Sequence, residues 1–234
     1  MSKSHRVLCS RLLLLSLIFM PTQSALSEAL GTKWPKTSAT FLTGGLPLDG
    51  PASGLPGDTE TWQAAASEAA DSWNDAQSAF KLTTLNAVGN GVCQGFGDNN
   101  LIFSSTACSS DFGKNTLAVT AGWSKGPTIV KADIIFNSNK AWGIYDGFLR
   151  FTPEDFRRVA THEFGHAMGL AHTTIKSALM FTTASNTYLP TPDDVESLES
   201  IYKDEKNSGS ISYLLLLTLG IWSLRLLKRH KKAD

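Results

Sequence analysis

Thr161-His162-Glu163-Phe164-Gly165-His166-Ala167-Met168-Gly169-Leu170-Ala171-His172 decides how this chain is read. On a helix, a spacing of four puts His162 and His166 one turn apart on one face, so two imidazole nitrogens can reach one metal at ~2.0–2.1 Å. Glu163 stands beside the first histidine, placed to hydrogen-bond a metal-bound water rather than to ligate. Gly169 can take a positive φ that side-chain-bearing residues resist, ending the helix and turning the chain back. His172 then arrives from another direction as a third ligand. Three neutral ligands leave a fourth position for water, the mark of a catalytic rather than a closed structural zinc site. Five fixed residues (His, Glu, His, Gly, His) match by chance in such a chain on the order of one time in ten thousand at equal residue usage. Buried, hydrogen-bonded structural histidines are the weaker reading.

Outward from this motif, the elements predict an α+β domain with strands ahead of the helix that carries the histidines and a C-terminal helix after it. Thr152, Pro153, Glu154 and Asp155 read as the cap and first turn of the helix that carries the histidines. Residues 192–202 read as the last helix, with Val195, Leu198 and Ile201 on one face. Upstream, Asp58 caps a helix to Phe80 whose Trp62, Ala65, Ala66, Ala69, Trp73 and Ala76 share a face. Strands are expected at 39–42, 80–85, 101–104, 116–120 and 128–136, with Gly122 and Gly126-Pro127 as turns. No repeat and no Gly-rich phosphate loop occur.

The 234 residues, 42% hydrophobic and 18% charged, carry 21 basic and 21 acidic groups. This excludes a disordered chain, a collagen-like fibre and a basic nucleic-acid binder. The balance conceals an acidic middle: residues 25–207 hold 13 basic and 20 acidic side chains, while both ends are basic. Residues 1–24 have the three-part layout of a secretory signal peptide, the alternative being an uncleaved anchor. Cys9 precedes the apolar run, so lipoprotein attachment is not expected. Residues 25–57 are loop-rich and hold the first strand; residues 58–205 form the catalytic domain. Residues 208–234 combine an apolar run, 211–227, with Lys228-Arg229-His230-Lys231-Lys232, reading as a transmembrane anchor or a cleavable sorting tail; the sequence does not separate the two. Export to the extracellular or envelope face permits a disulfide between Cys93 and Cys108; two buried thiols are the alternative.

The extended histidine motif followed by Ser177-Ala178-Leu179-Met180 resembles the metzincin zinc endopeptidases, in which a Met-containing turn lies beneath the metal. Residues 156–162, Ala171-His172-Thr173 and Pro192-Asp193-Asp194-Val195 look most like matrixins, the matrix-metalloproteinase type. The resemblance implies a metzincin (zincin-like) catalytic domain of α+β class, a twisted mixed sheet with an active-site helix and a C-terminal helix, and hydrolysis of internal peptide bonds. It implies one catalytic zinc on His162, His166 and His172, Glu163 as general base, and Gly169 and Met180 in support, Met180 as a packing floor. It also makes Ala132-Asp133-Ile134-Ile135-Phe136-Asn137 the edge strand that pairs with extended protein or peptide substrate. Tyr188, with Leu189 and Pro190, is expected either to wall the pocket beyond the cut bond or to lie in the core. Calcium could sit in the Asp98-Asn99-Asn100 or the 111–115 loop, though such loops are commonly only solvated turns. Two departures stand out. No cysteine lies between the signal peptide and the first strand, so latency through a Cys-zinc bond is not expected. Only five histidines exist, leaving none for a second histidine zinc site. A monomer is expected.

Overall fold

The computed structural model describes residues 31–48, 50–51, 61–150 and 152–202. The expected signal peptide, the tail and Asp58 lie outside them, and among the described residues no helix is long and apolar enough to cross a membrane. The elements in chain order are β1 (Ser38–Gly45), α1 (Trp62–Ala76), β2 (Lys81–Leu85), β3 (Asn99–Ser104), the short β4 (Thr106–Ala107) and β5 (Ser110–Asp111), β6 (Ala118–Lys125) and β7 (Thr128–Asn137). The short β8 (Trp142–Gly143) and β9 (Glu154–Asp155), then α2 (Phe156–Ala167) and α3 (Pro192–Tyr202), complete the fold.

Helix α1 buries Trp62, Ala65, Ala66, Ala69 and Trp73 of the predicted face together with Ala70, while Ala76 at its last position is exposed. It is capped by Thr61, whose hydroxyl accepts from Ala64 N at 3.1 Å. It stops at Ala76, short of Phe80, because the Gln77 side chain takes over. Gln77 Nε2 donates to Phe80 O at 2.7 Å and its Oε1 accepts from Phe80 N at 2.9 Å, turning the chain into β2.

The main sheet runs β2-β1-β3-β7-β6. The first four strands are mutually parallel and β6 is antiparallel to β7, a mixed sheet of the α+β metzincin type. One expectation is overturned here. The segment 132–137 is not an edge strand, because β7 lies between β3 and β6, and the free edge on that side is β6. The reason is burial on both faces: Ala132 through Asn137 are all buried, as an interior strand requires and a half-solvated edge does not, and the polar Asp133 and Asn137 are accommodated by Lys131 and by the Thr116 carbonyl. Gly122 is likewise no turn; it pairs with Ala132 inside the ladder, and the hairpin closes at Gly126-Pro127, where Gly126 adopts φ +60°.

Helix α2 is fixed to the sheet by aromatic contacts. Phe156 packs 4.4 Å from Phe136 and 5.1 Å from Trp62, and Phe164 meets Phe41 edge-on at 5.3 Å between centroids. The helix begins later than expected. Glu154 and Asp155 pair with Trp142 and Gly143 in a two-residue bridge, Glu154 N donates to Ala141 O at 2.8 Å, and Asp155 rather than Thr152 is the cap.

Candidate metal centre

Two faces of α2 carry the site's logic. Phe164 faces the core, fully buried, while His162 and His166 face a cleft. Their rings are fixed from behind: His162 Nδ1 lies 2.8 Å from Leu179 O and His166 Nδ1 lies 2.8 Å from Leu170 O. Each Nδ1–H donates to its carbonyl, which leaves Nε2 as a bare lone pair. His172 reaches the same point after Gly169, whose φ is +105°; a Cβ there would stand 2.7 Å from Thr32 O, so the turn requires glycine.

The three Nε2 atoms converge. His172 Nε2 lies 3.3 Å from His162 Nε2 and 3.1 Å from His166 Nε2. Ligands at ~2.0–2.1 Å from a tetrahedral ion stand about 3.3–3.4 Å apart, so the donor set fits zinc. Two lone pairs facing a third nitrogen at this range are reconciled by a cation between them, since one ring N–H can satisfy only one of them. Burial lowers all three histidines, His162 to about 4, so the rings are neutral and ready to ligate at neutral pH. Among the described residues this is the single cluster of three or more His, Cys, Asp or Glu ligand atoms within reach of one ion.

Glu163 enters the same cleft, buried, with its carboxyl raised by desolvation against the opposing effects of His166 and Thr120. The cleft, about 580 Å³, is lined by Ala118, Thr120, Gly122 and Trp123 of β6 with Glu163, His166 and His172. Met180 is wholly buried against α2. A Cβ on Gly165 would stand 2.4 Å from its Sδ, so glycine at this helix position admits the Met turn. That turn is held by Asp194 of α3, which accepts from Leu179 N at 2.9 Å, Met180 N at 3.1 Å and Thr191 N at 2.8 Å.

Several of these supports carry no sequence signal of their own: Thr120, Trp34 and Tyr202 stand in no motif, and Asp194 reads only as part of a helix start. Trp73 Nε1 donates to Thr161 O at 2.7 Å, Trp34 Nε1 to Ala167 O at 2.8 Å and Tyr202 Oη to Met168 O at 2.8 Å. The last two satisfy carbonyls that a helix end leaves open. No periodicity signals such bonds, because each donor comes from a distant segment.

One expected feature falls elsewhere. Tyr188 is half exposed, with Arg158 stacked 5.3 Å from its ring. It lines a separate cavity with Tyr145, Asp146, Arg157 and Arg158, sharing no lining residue with the histidine cleft. In the 98–100 loop, Asn100 Nδ2 is already committed to Asp98 O at 2.7 Å and Asp133 Oδ1 at 2.9 Å. Cys93 and Cys108 are joined as a disulfide.

A mixed sheet backing a helix that carries two of three converging histidines, with a glutamate between them, is the arrangement of the metzincin fold. Within it, the family model described as Matrixin (Peptidase_M10) matches residues 57–203, and the chain belongs to that zinc-dependent family. Curated relatives include human "Matrix metalloproteinase-20", 42% identical over 80 residues (32% of this chain, 15% of the relative). Bovine "Interstitial collagenase" is 41% identical over 59 residues (24% and 13%). "Metalloendoproteinase 2-MMP" of Arabidopsis thaliana is 36% identical over 69 residues (28% and 18%). The chain thus spans less than a fifth of the length of these relatives.

Proposed function

We propose that this chain is an exported zinc endopeptidase that hydrolyses internal peptide bonds of extracellular or envelope proteins. His162, His166 and His172 hold the zinc and Glu163 is the general base. The observation that carries this reading is the convergence of three Nε2 atoms, two of them from histidines that line the cleft Glu163 enters. A zinc ion held by those three nitrogens would supply Lewis-acid chemistry for the scissile carbonyl and the attacking water. Glu163 takes the proton of the attacking water and delivers it to the leaving amine. The carbonyls of Leu179 and Leu170 keep the histidine rings in one tautomer. An extended substrate adds as a strand along the free edge of β6, its backbone giving affinity and the cleft giving selectivity. Residues 1–24 direct export, the 208–234 tail holds or sorts the chain at a membrane, and the domain works as a monomer without nucleic acid. Calcium in the 98–100 or 111–115 loop would be accessory to this chemistry.

The test is incubation of the purified protein with a denatured-protein and peptide library, with and without a zinc chelator. Cleavage that stops with the chelator and returns with zinc is expected. Glu163→Ala should retain one zinc equivalent while turnover falls by at least about two orders of magnitude. Near-normal cleavage by that variant, or indifference to the chelator, would sink the assignment.

A further inference from the structure

Thr120 lies on β6, opposite Ile134 of β7, and strand alternation places its side chain on the same face as that of Ala118, toward α2. Its Oγ1 stands 2.7 Å from Glu163 Oε2 and 3.1 Å from Glu163 O. A hydroxyl has one proton to give. The carboxylate is the stronger acceptor, and the shorter contact lies at the O–H···O⁻ distance of a charge-assisted bond. The Glu163 carbonyl, by contrast, belongs to the hydrogen-bond ladder of its own helix.

We infer that Thr120 is a positioning residue for the reaction: its hydroxyl holds Glu163 Oε2 from the sheet edge and leaves Oε1 as the oxygen that exchanges the proton. This rests on the reading of Glu163 as the general base. A glutamate side chain has three rotatable bonds, and proton transfer needs its oxygen within hydrogen-bond reach of the water. Its backbone is fixed by α2, but nothing in the helix fixes the carboxylate; Thr120 does so from the strand along which substrate is proposed to lie. The free edge and the base are thereby tied together, so that a change at one is felt at the other.

The test uses the full zinc-loaded chain. Thr120→Val is isosteric and strand-compatible and removes only the hydroxyl; Thr120→Ser keeps it. Thr120→Val is expected to lower kcat by about 10- to 100-fold, the scale of one charge-assisted hydrogen bond, with KM within about threefold and zinc content unchanged. Thr120→Ser should recover most of the loss. Independently of turnover, the ¹³Cδ resonance of Glu163, assigned by its disappearance in Glu163→Ala, should move in Thr120→Val and return in Thr120→Ser. Wild-type kcat in Thr120→Val, equal impairment of the serine variant, or an unmoved Cδ resonance would each overturn the inference. The outcomes separate cleanly: no hydrolysis by the wild-type protein falls on the reading of Glu163 as a base. Full activity in Thr120→Val beside an inactive Glu163→Ala falls on Thr120 alone.

Discussion

At the residue scale, a second polar cluster is built around Lys131 and Asp133 on β7. Both are buried, with Lys131 Nζ 3.0 Å from Asp133 Oδ2. Lys131 also donates to Gln94 O at 3.0 Å and to Gly91 O, and its ammonium stands 4.9 Å from the Trp123 ring. Asp133 in turn accepts from Cys93 N at 2.8 Å and Asn100 N at 3.0 Å. The pair therefore clasps the loop before β3, and the lysine supplies the positive charge around which two loop carbonyls gather. Lys131→Met would leave a carboxylate buried and the carbonyls without their donor, so we expect a loss of about 3–5 kcal/mol, the cost of breaking a buried pair from one side. Urea denaturation measures it; a loss under about 1 kcal/mol would show that the disulfide alone holds the loop.

At the scale of elements, α3 contributes to the site from outside it. Asp194 at its start ties down the Met turn, and Tyr202 at its end donates to the last turn of α2 and accepts from Trp34 N at 3.3 Å. Burial pushes the Tyr202 phenol up to about 12, with the Trp34 amide opposing. A folded-state pKa raised above the unfolded value of 10 means that the neutral phenol is favoured by folding. Its contribution is complete below pH 10 and is lost as pH rises toward 12. Tyr202→Phe should therefore be less stable than wild type at pH 9, with the gap narrowing at pH 11, because ionisation costs only the wild-type chain. Titrating both with urea at the two pH values checks this; an unchanged gap would show that the hydroxyl is not engaged. Elements of this kind mark the boundary of what sequence discloses. The periodicity of 62–76 and 192–202 is strong enough to place both helices, and the run 128–136 places β7. Strand order is another matter: whether β6 or β7 holds the edge depends on which neighbours cover a strand, and the residues of 132–137, with Asp133 and Asn137 among them, carry no such signal. The histidine triad was legible because its geometry is local to one helix and one turn. Thr120 and Asp194 were not, since each acts across more than a dozen residues of chain.

At the scale of the whole molecule, the metal site is where separately folded parts meet. Two of its nitrogens come from α2 and one from the segment beyond Gly169. The orienting carbonyls belong to Leu179 and Leu170, and the turn bearing Leu179 is anchored by α3. An ion held by all of them binds the folded chain and not the unfolded one, so it stabilises by RT ln(1 + [Zn]/Kd), about 2.7 kcal/mol at a hundredfold excess over Kd. Chelation should accordingly lower Tm, and added zinc should restore it progressively as its concentration rises. The variants sort the contributions. Glu163→Ala, which touches no ligand nitrogen, should show the same zinc-dependent shift as wild type, whereas His172→Ala, which removes the ligand least buried of the three, should show almost none. Calorimetry with and without chelator reads all three proteins. A His172→Ala variant that kept the full shift would mean that the ion is held elsewhere, and the acidic domain of 13 basic and 20 acidic residues would then be binding zinc through its carboxylates and not through the cleft.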